Sequence, residues 1–170
     1  QRLFQGPSLL RRNFIDRIVY SFDSSFLHLI NNYTKYIRER SFIIRGQVYD
    51  QNWLDNIEKD IAKLGIEITR KRNESLNMLN IMFNKISSKI NDMTKCRLLL
   101  SHDFDKKIIK DEKDEIFEKY INELKSSREE DKIKGGCKIG PHKSDIEVLY
   151  SRNNLNATYC STGQQKEIIL

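Results

Sequence analysis

Apolar side chains recur at helical spacing along the first part of the chain. Between residues 9 and 22 they follow one side of a helix, and Ser8 stands before them as the predicted N-cap. After a polar break, the pattern resumes over residues 26–37 and is predicted to end at Gly46, a suitable C-cap. The sequence therefore predicts two consecutive helices here.

A longer helix is predicted over residues 51–90, with Asp50 as its cap. Its apolar positions alternate in steps of three and four, with a polar interruption over residues 69–75. This spacing is typical of a coiled-coil seam, so we expect the long helix and the one before it to fold back as an antiparallel arm. A helical bundle packed on its own core has the same pattern, and periodicity does not separate the two. The positions are Leu54, Ile57, Ile61, Leu64, Ile68, Leu76, Leu79, Phe83, Ile86 and Ile90.

The second half of the chain mixes helical and extended patterns. Residues 146–150 partly alternate in polarity, as in a β-strand, and a turn-forming Ser-Arg-Asn-Asn sequence follows them. We therefore expect a mainly α fold with a small β part (α+β), in which a long-helix arm accompanies a short β-hairpin. The other predicted elements are a strand over 95–100, a helix over 111–124, a charged run over 126–134, a return strand over 155–159 and a final helix capped by Ser161 or Thr162.

Composition supports this interpretation. Of the 170 residues, 38% are hydrophobic and 32% are charged, and only two prolines and seven glycines interrupt the chain. Such a composition favours long amphipathic helices. The chain has no apolar stretch of about 18 residues or more, so we expect no membrane-spanning helix.

Positive charge is concentrated in the first part of the chain. The formal net charge is +6, and residues 1–100 hold 17 basic and 10 acidic side chains. Basic side chains bind phosphate backbones through the release of counterions, but helical surfaces are also rich in lysine for solubility alone. The charge is thus compatible with a nucleic-acid partner without requiring one.

The three cysteines are far apart and include no Cys-x-x-Cys pair. Such scattered thiols suit a reducing compartment, so we expect a cytoplasmic protein. The three histidines are equally dispersed, and the sequence predicts no metal site.

Hydroxyl, glycine and glutamine side chains stand together at a predicted strand-to-helix junction near the end of the sequence. The first N–H groups of a helix lack internal partners and carry the positive end of the helix dipole, so they favour phosphate. Gly163 lets the backbone approach closely, and Lys166 adds positive charge. An ordinary Ser/Thr cap fits the same residues, so context decides. The candidate phosphate-binding residues are Ser161, Thr162, Gly163, Gln164, Gln165 and Lys166.

A second motif, Gly140-Pro141-His142-Lys143-Ser144-Asp145, lies about twenty residues upstream and supplies that context. Together the two motifs resemble those of the RecF family, which belongs to the ABC/SMC-like ATPases. The resemblance runs from about residue 3 to residue 170. Its further matching segments are residues 8–17, Tyr36 to Arg40 (with Ser41 in place of the usual asparagine), Trp53-Leu54-Asp55, Gly65, Arg72 and Asp131-Lys132-Ile133, with Cys137 where threonine is common.

The resemblance implies an ATP-dependent DNA clamp that acts in DNA replication, recombinational repair and the SOS response, on single-stranded or gapped duplex DNA. In such proteins two heads enclose ATP, and one head contributes a Walker A loop while the other contributes its signature loop. By this resemblance residues 161–166 form the signature loop and contact ATP held by the partner of a homodimer. Other recombination mediator proteins are implied as partners, and a membrane is not.

The ATPase parts that the family requires are missing from this sequence. No Gly-x-x-x-x-Gly-Lys-Ser/Thr motif occurs, and the chain ends before any acidic Walker B strand. We therefore expect a piece of a longer ATPase that binds ATP and Mg²⁺, while this piece alone binds neither and has no catalytic residue. The expected organisation is an edge of the ATPase head over 1–20, a helical arm over 21–133, and a β-hairpin with the signature helix over 134–170.

Several roles stay open at this point. His142 and Lys143 either fix the tight start of a strand or touch nucleotide or DNA. Arg11, Arg12 and Arg17 support either the nucleotide side or only the fold. The alternatives for the whole chain are a helical interaction module without nucleotide and the arm of another SMC-like ATPase.

Overall fold

The computed structural model describes residues 6–46, 50–87, 96–110, 113–150 and 155–159. Helices dominate this part of the chain and a small antiparallel sheet accompanies them, which confirms the expected mainly α fold with a β part. The helices are α1 (Ser8–Phe22), α2 (Phe26–Arg45), α3 (Gln51–Ser87), α4 (Asp103–Lys110), α5 (Lys113–Ser126) and α6 (Arg128–Lys134). The strands are β1 (Cys96–Leu100), β2 (Ile146–Tyr150) and β3 (Leu155–Asn156), and a 3₁₀ turn (Ala157–Tyr159) follows.

Of the predicted caps of the first three helices, Ser8, Gly46 and Asp50, two are confirmed and one is wrong. Pro7 occupies the N-cap position of α1, and the Ser8 hydroxyl instead accepts a hydrogen bond of 2.8 Å from Arg12, so the predicted Ser8 cap is wrong. Gly46 ends α2 as expected. Asp50 caps α3, since its Oδ1 accepts a hydrogen bond of 2.8 Å from the backbone N–H of Asn52.

The long helix α3 is continuous through the polar interruption over residues 69–75. Thr69, Arg72 and Ser75 are all buried there, and Thr69 and Arg72 have polar partners from elsewhere in the chain. The apolar repeat before and after this point lies in the core as predicted, but Ile86 is 45% exposed, so its assignment to the seam is wrong. Residues 88–90 of the predicted helix lie outside the described residues.

Helices α2 and α3 pack against each other in opposite directions. Lys71 pairs with Asp23 near the start of α2, and Glu58 pairs with Arg40 near its end. α3 also contacts α1, α4, α5 and β1, so the antiparallel pair forms part of a larger helical bundle. A single core runs across the expected boundaries after residues 20 and 133, and the division into three regions stays a prediction.

The sheet joins the middle of the chain to its last part. Its order is β1-β2-β3, and all neighbours are antiparallel, with Leu98 opposite Val148. The predicted strand over 95–100 is confirmed over Cys96–Leu100, and residue 95 lies outside the described residues. The hairpin strand over 146–150 is confirmed, while the return strand is shorter than predicted and passes into the 3₁₀ turn. On the outer side of β1, the side-chain amide of Asn80 donates to the carbonyl of Leu98 and accepts from its N–H, both at 2.8 Å.

Two helices were not predicted from the sequence. α4 lies where no element is expected, and α6 forms within the charged run. α6 ends at Gly135, whose φ of 76° is left-handed and thus suited to glycine. None of the described helices combines the length and hydropathy that crossing a bilayer requires.

A buried ionic cluster holds α6 against the long helices. The Arg40 side chain is fully buried and donates to Glu58 at 2.9 Å, to Asp131 at 2.6 Å and to the Leu124 carbonyl at 2.7 Å. Arg128 closes the cluster from outside by pairing with Glu58. Each buried charge therefore has a partner of opposite sign, and removal of one member leaves the others uncompensated.

We predict that Arg40→Ala lowers the free energy of unfolding by about 3–5 kcal/mol, because Glu58 and Asp131 lose their buried partner. Urea denaturation followed by circular dichroism measures this change. Arg38→Ala, on the exposed side of the same helix, is the control and should change stability by less than about 0.5 kcal/mol. Equal effects of the two substitutions would contradict the role given to the cluster.

Candidate functional site

The Gly140–Asp145 loop precedes β2 and passes through a crowded region of the core. Gly140 has a φ of 134°, which side-chain-bearing residues rarely adopt. A Cβ atom there would lie 2.2 Å from the hydroxyl of Tyr33 and 2.5 Å from the hydroxyl of Tyr120. Gly65 on α3 lets the Tyr120 ring approach in the same way, since a Cβ atom would lie 2.9 Å from it. The loop thus requires glycine at its first position for reasons of both conformation and space.

His142 uses both of its ring nitrogens inside the protein. Nε2 lies 2.9 Å from the carbonyl oxygen of Cys137 and must donate, because a carbonyl can only accept. Nδ1 of the neutral ring then accepts from the Tyr33 hydroxyl at 2.7 Å. Burial lowers the pKa of His142 to about 4, so the ring is neutral at physiological pH.

Arg72 joins the loop to two helices. From the middle of α3, its guanidinium binds both carboxylate oxygens of Asp16 on α1, at 2.8 and 2.9 Å. The same group donates to the carbonyl oxygen of Pro141 at 2.7 Å. The planar fork of arginine suits this arrangement, which a lysine could not reproduce.

The two arginines near the start of α1 hold the end of the loop. Arg11 binds both oxygens of Asp145, at 2.6 and 2.8 Å, and holds the pKa of that carboxyl below its ordinary value against the opposing effect of burial. Arg12 donates to the Ser144 carbonyl at 2.7 Å. Both arginines therefore support the fold of this loop. Arg17, by contrast, has no hydrogen-bond or ion-pair partner within the described ranges, and it lines a groove of about 410 Å³ between α1 and α2.

Asp105 on α4 is a fully buried carboxyl beside the same loop. Its Oδ1 accepts from the Ser144 hydroxyl at 2.6 Å, while Oδ2 has no hydrogen-bond partner in the part of the chain that is described. Burial raises the pKa of Asp105, and the hydrogen bond from Ser144 opposes that shift. Nearby, the backbone N–H of Ser101 donates to the Asp145 carbonyl at 3.0 Å, which ties the end of β1 to the start of β2.

The loop is therefore a fixed support at the start of β2. Of the two residues suggested there, His142 points into the protein, while Lys143 is exposed and available to an external ligand. The signature-loop residues 161–166 lie outside the described residues, so their roles stay predictions. Within the described ranges, no group of His, Cys, Asp or Glu side chains is arranged to hold a metal ion.

Sequence reasoning missed three residues that shape this loop, namely Tyr33, Tyr120 and Asp105. The two tyrosines read as ordinary apolar positions in helical stripes, and only the fold shows that their hydroxyls meet at Gly140. Asp105 lies in a segment without a clear pattern. For Arg72, the polar interruption in an otherwise apolar repeat was the available signal.

We predict that His142 makes stability fall as the pH drops. Because the pKa of His142 is about 4 in the folded chain and 6.5 when unperturbed, the unfolded chain takes up the proton first. Stability from this group is complete above pH 6.5 and is lost progressively as the pH falls to 4, by about 2 kcal/mol after allowance for partial exposure. Urea denaturation at pH 7 and pH 4.5 measures the loss.

His142→Gln tests the assignment, because an amide can donate to Cys137 and accept from Tyr33 without titrating. Its stability should depend less on pH than that of the wild type. His28→Gln, at an exposed position, is the control and should keep the wild-type dependence. A pH dependence that disappears in the His28 variant and persists in the His142 variant would refute the prediction.

Comparisons with known proteins are consistent with the geometry. No protein-family model matches the chain. Curated relatives described as "DNA replication and repair protein RecF" include one from Rickettsia typhi, 35% identical over 168 residues, and one from Rickettsia bellii strain RML369-C, 36% identical over the same length. Each alignment covers 99% of this chain and 46% of the relative, so the chain spans about half the length of the curated relatives it matches.

Solved structures agree on the fold. A structure described as "the recombination mediator protein RecF-ATPrS in RecFOR pathway" superposes with a TM-score of 0.81 at 24% identity, covering 97% of this chain and 44% of that one. A second, described as RecF-ATP in the same pathway, gives a TM-score of 0.80 at 20% identity. The sequence relatives and the fold thus agree that this chain is similar to RecF proteins over nearly its whole length.

Proposed function

We propose that this chain is part of an ATP-dependent DNA-binding protein that acts in the cytoplasm in DNA replication and recombinational repair. The observation that carries the proposal is the 35% identity to RecF proteins across 99% of the chain. This chain supplies the helical arm. It also supplies the Gly140–Asp145 loop, which supports the strand that leads to the signature loop. ATP, Mg²⁺ and hydrolysis belong to the full-length protein.

The nucleotide role rests on the signature loop, residues 161–166. We infer that this loop contacts the γ-phosphate of ATP bound by a second copy, so that ATP closes a homodimer. The fixed position of β2 supports this role, because the chain reaches the loop through the hairpin that β2 begins. Gly163 and the helix that the sequence predicts behind it suit close contact with phosphate.

The DNA role has a candidate surface on α3. At about 100° per residue, Lys59, Lys63 and Arg70 lie within about 40° of one another on the helix. Lys59 and Lys63 are exposed and Arg70 is half-buried, and none of the three has an ion-pair partner within the described residues. Lys63 and Arg70 also line a groove between α3 and α5, where Glu67 and Glu74 flank them. We propose that this stripe contacts the DNA backbone. Other recombination mediator proteins are proposed to act on the same DNA.

We predict that Ser161→Arg in the full-length protein leaves ATP binding intact but abolishes ATP-driven dimerisation and ATP turnover. The larger cation would fill the space that the γ-phosphate requires. Size-exclusion chromatography with light scattering, with and without ATP, measures dimerisation. Ser24→Arg adds the same charge at an exposed turn and should dimerise normally. Normal dimerisation of the Ser161 variant would refute the role of the loop.

We predict that the paired change Lys63→Glu and Arg70→Glu weakens DNA binding without altering sequence preference. Each lost phosphate contact should lower the slope of log affinity against log salt by about 1. Fluorescence anisotropy with a gapped duplex at several salt concentrations measures both quantities. Lys132→Glu with Lys134→Glu on α6 makes the same change in net charge and serves as the control. Equal loss of affinity in both pairs would show a general effect of charge and would overturn the assignment of the stripe.

A further inference from the structure

Four helices hold the Gly140–Asp145 loop through different side chains. α1 supplies Arg11 and Arg12, α2 supplies Tyr33, α3 supplies Arg72, and α4 supplies Asp105. The loop has only six residues, and the five contacts end on four of them, namely Pro141, His142, Ser144 and Asp145. A loop fixed from so many sides cannot absorb a shift of one helix by itself.

Two of these contacts come from α2 and α3, the antiparallel pair of long helices. Arg72 is 3% exposed and lies on the inner side of α3, two residues after Arg70 of the proposed DNA-binding stripe. Tyr33 is also 3% exposed, and its hydroxyl meets His142 at 2.7 Å above Gly140. No space separates the Tyr33 hydroxyl from the loop, since even a methyl group on Gly140 would collide with it. Both side chains therefore connect the arm to the loop rigidly.

The loop is in turn connected directly to β2. The Asp145 carboxylate accepts a hydrogen bond of 2.8 Å from the backbone N–H of Ile146, the first residue of β2. The Asp145 carbonyl accepts from Ser101 at the end of β1. A displacement of the loop thus changes the position of β2 and of its pairing with β1.

We propose that Arg72 and Tyr33 are positioning residues that pass a displacement of α3 and α2, through the Gly140–Asp145 loop, to β2, the strand from which the chain continues towards the signature loop. DNA bound on the outer side of α3 then changes the rate of ATP turnover through the inner side of the same helix. The inference rests on the proposed function. It assigns the coupling to two residues that contact neither ligand.

The test uses the full-length protein carrying Tyr33→Phe or Arg72→Lys. The first change removes one hydroxyl and keeps the ring, and the second keeps the charge but loses the fork that reaches Asp16 and Pro141 together. ATP turnover is measured with and without a gapped DNA duplex, and DNA affinity is measured separately. The matched control is Tyr36→Phe, which removes a hydroxyl three residues along the same helix, where the ring is only partly buried.

In both variants we expect the stimulation of turnover by DNA to fall about fivefold, the factor that corresponds to one buried hydrogen bond. In Tyr33→Phe, turnover without DNA and DNA affinity should stay within about twofold of the wild type, and Tyr36→Phe should behave as the wild type. In protein with ¹⁵N-labelled histidine, Tyr33→Phe should also shift the Nδ1 resonance of His142, which loses its donor. If Arg72→Lys fails to fold, the Tyr33 variant decides alone.

Full stimulation by DNA in the variants would overturn the inference and leave the proposed function intact. An equal fall of turnover with and without DNA would also overturn it, because that result indicates a general structural role. A wild-type protein that neither hydrolyses ATP nor responds to DNA would refute the proposed function and this inference with it.

Discussion

The fork of hydrogen bonds around the Arg72 guanidinium is the constraint on which the rest of the structure depends. A cation buried to 97% must find compensation inside the protein, and Arg72 finds it in the Asp16 carboxylate and the Pro141 carbonyl. These partners lie 56 and 69 residues away in sequence. The arginine therefore fixes α1, α3 and the loop before β2 relative to one another, and the hydrophobic core fills the space around them.

Much of the fold follows from the apolar pattern, and the departures have a common physical cause. Leu54, Ile61 and Ile68 repeat at helical spacing and lie in the core, so the long helix was predictable. Because periodicity counts apolar residues only, the buried Thr69 and Arg72 interrupt the helical repeat in the sequence. Their partners come from distant segments that local sequence does not show. Ile86 continues the repeat beyond the point where other elements cover the helix, and it is therefore exposed.

The candidate site, too, was predicted from the sequence only in part. The Gly-Pro-His-Lys-Ser-Asp motif was found because, together with residues 161–166, it resembles a family pattern. The partners that give it meaning, the Tyr33 hydroxyl and the Asp105 carboxyl, were not found, since each lies on a helix with no local sign of its role. A buried polar network needs every donor matched to an acceptor, and that matching is a property of the tertiary structure alone.

The side-chain amide of Asn80 changes what the outer edge of β1 can bind. By donating to and accepting from the backbone of Leu98, it imitates one residue of an adjacent strand on the outer edge of β1. Open strand edges are templates for pairing with other chains, and proteins that leave them bare are prone to aggregate. Here a single side chain occupies the centre of that edge. Pairing of another chain with the centre of β1 is thereby blocked on its outer edge.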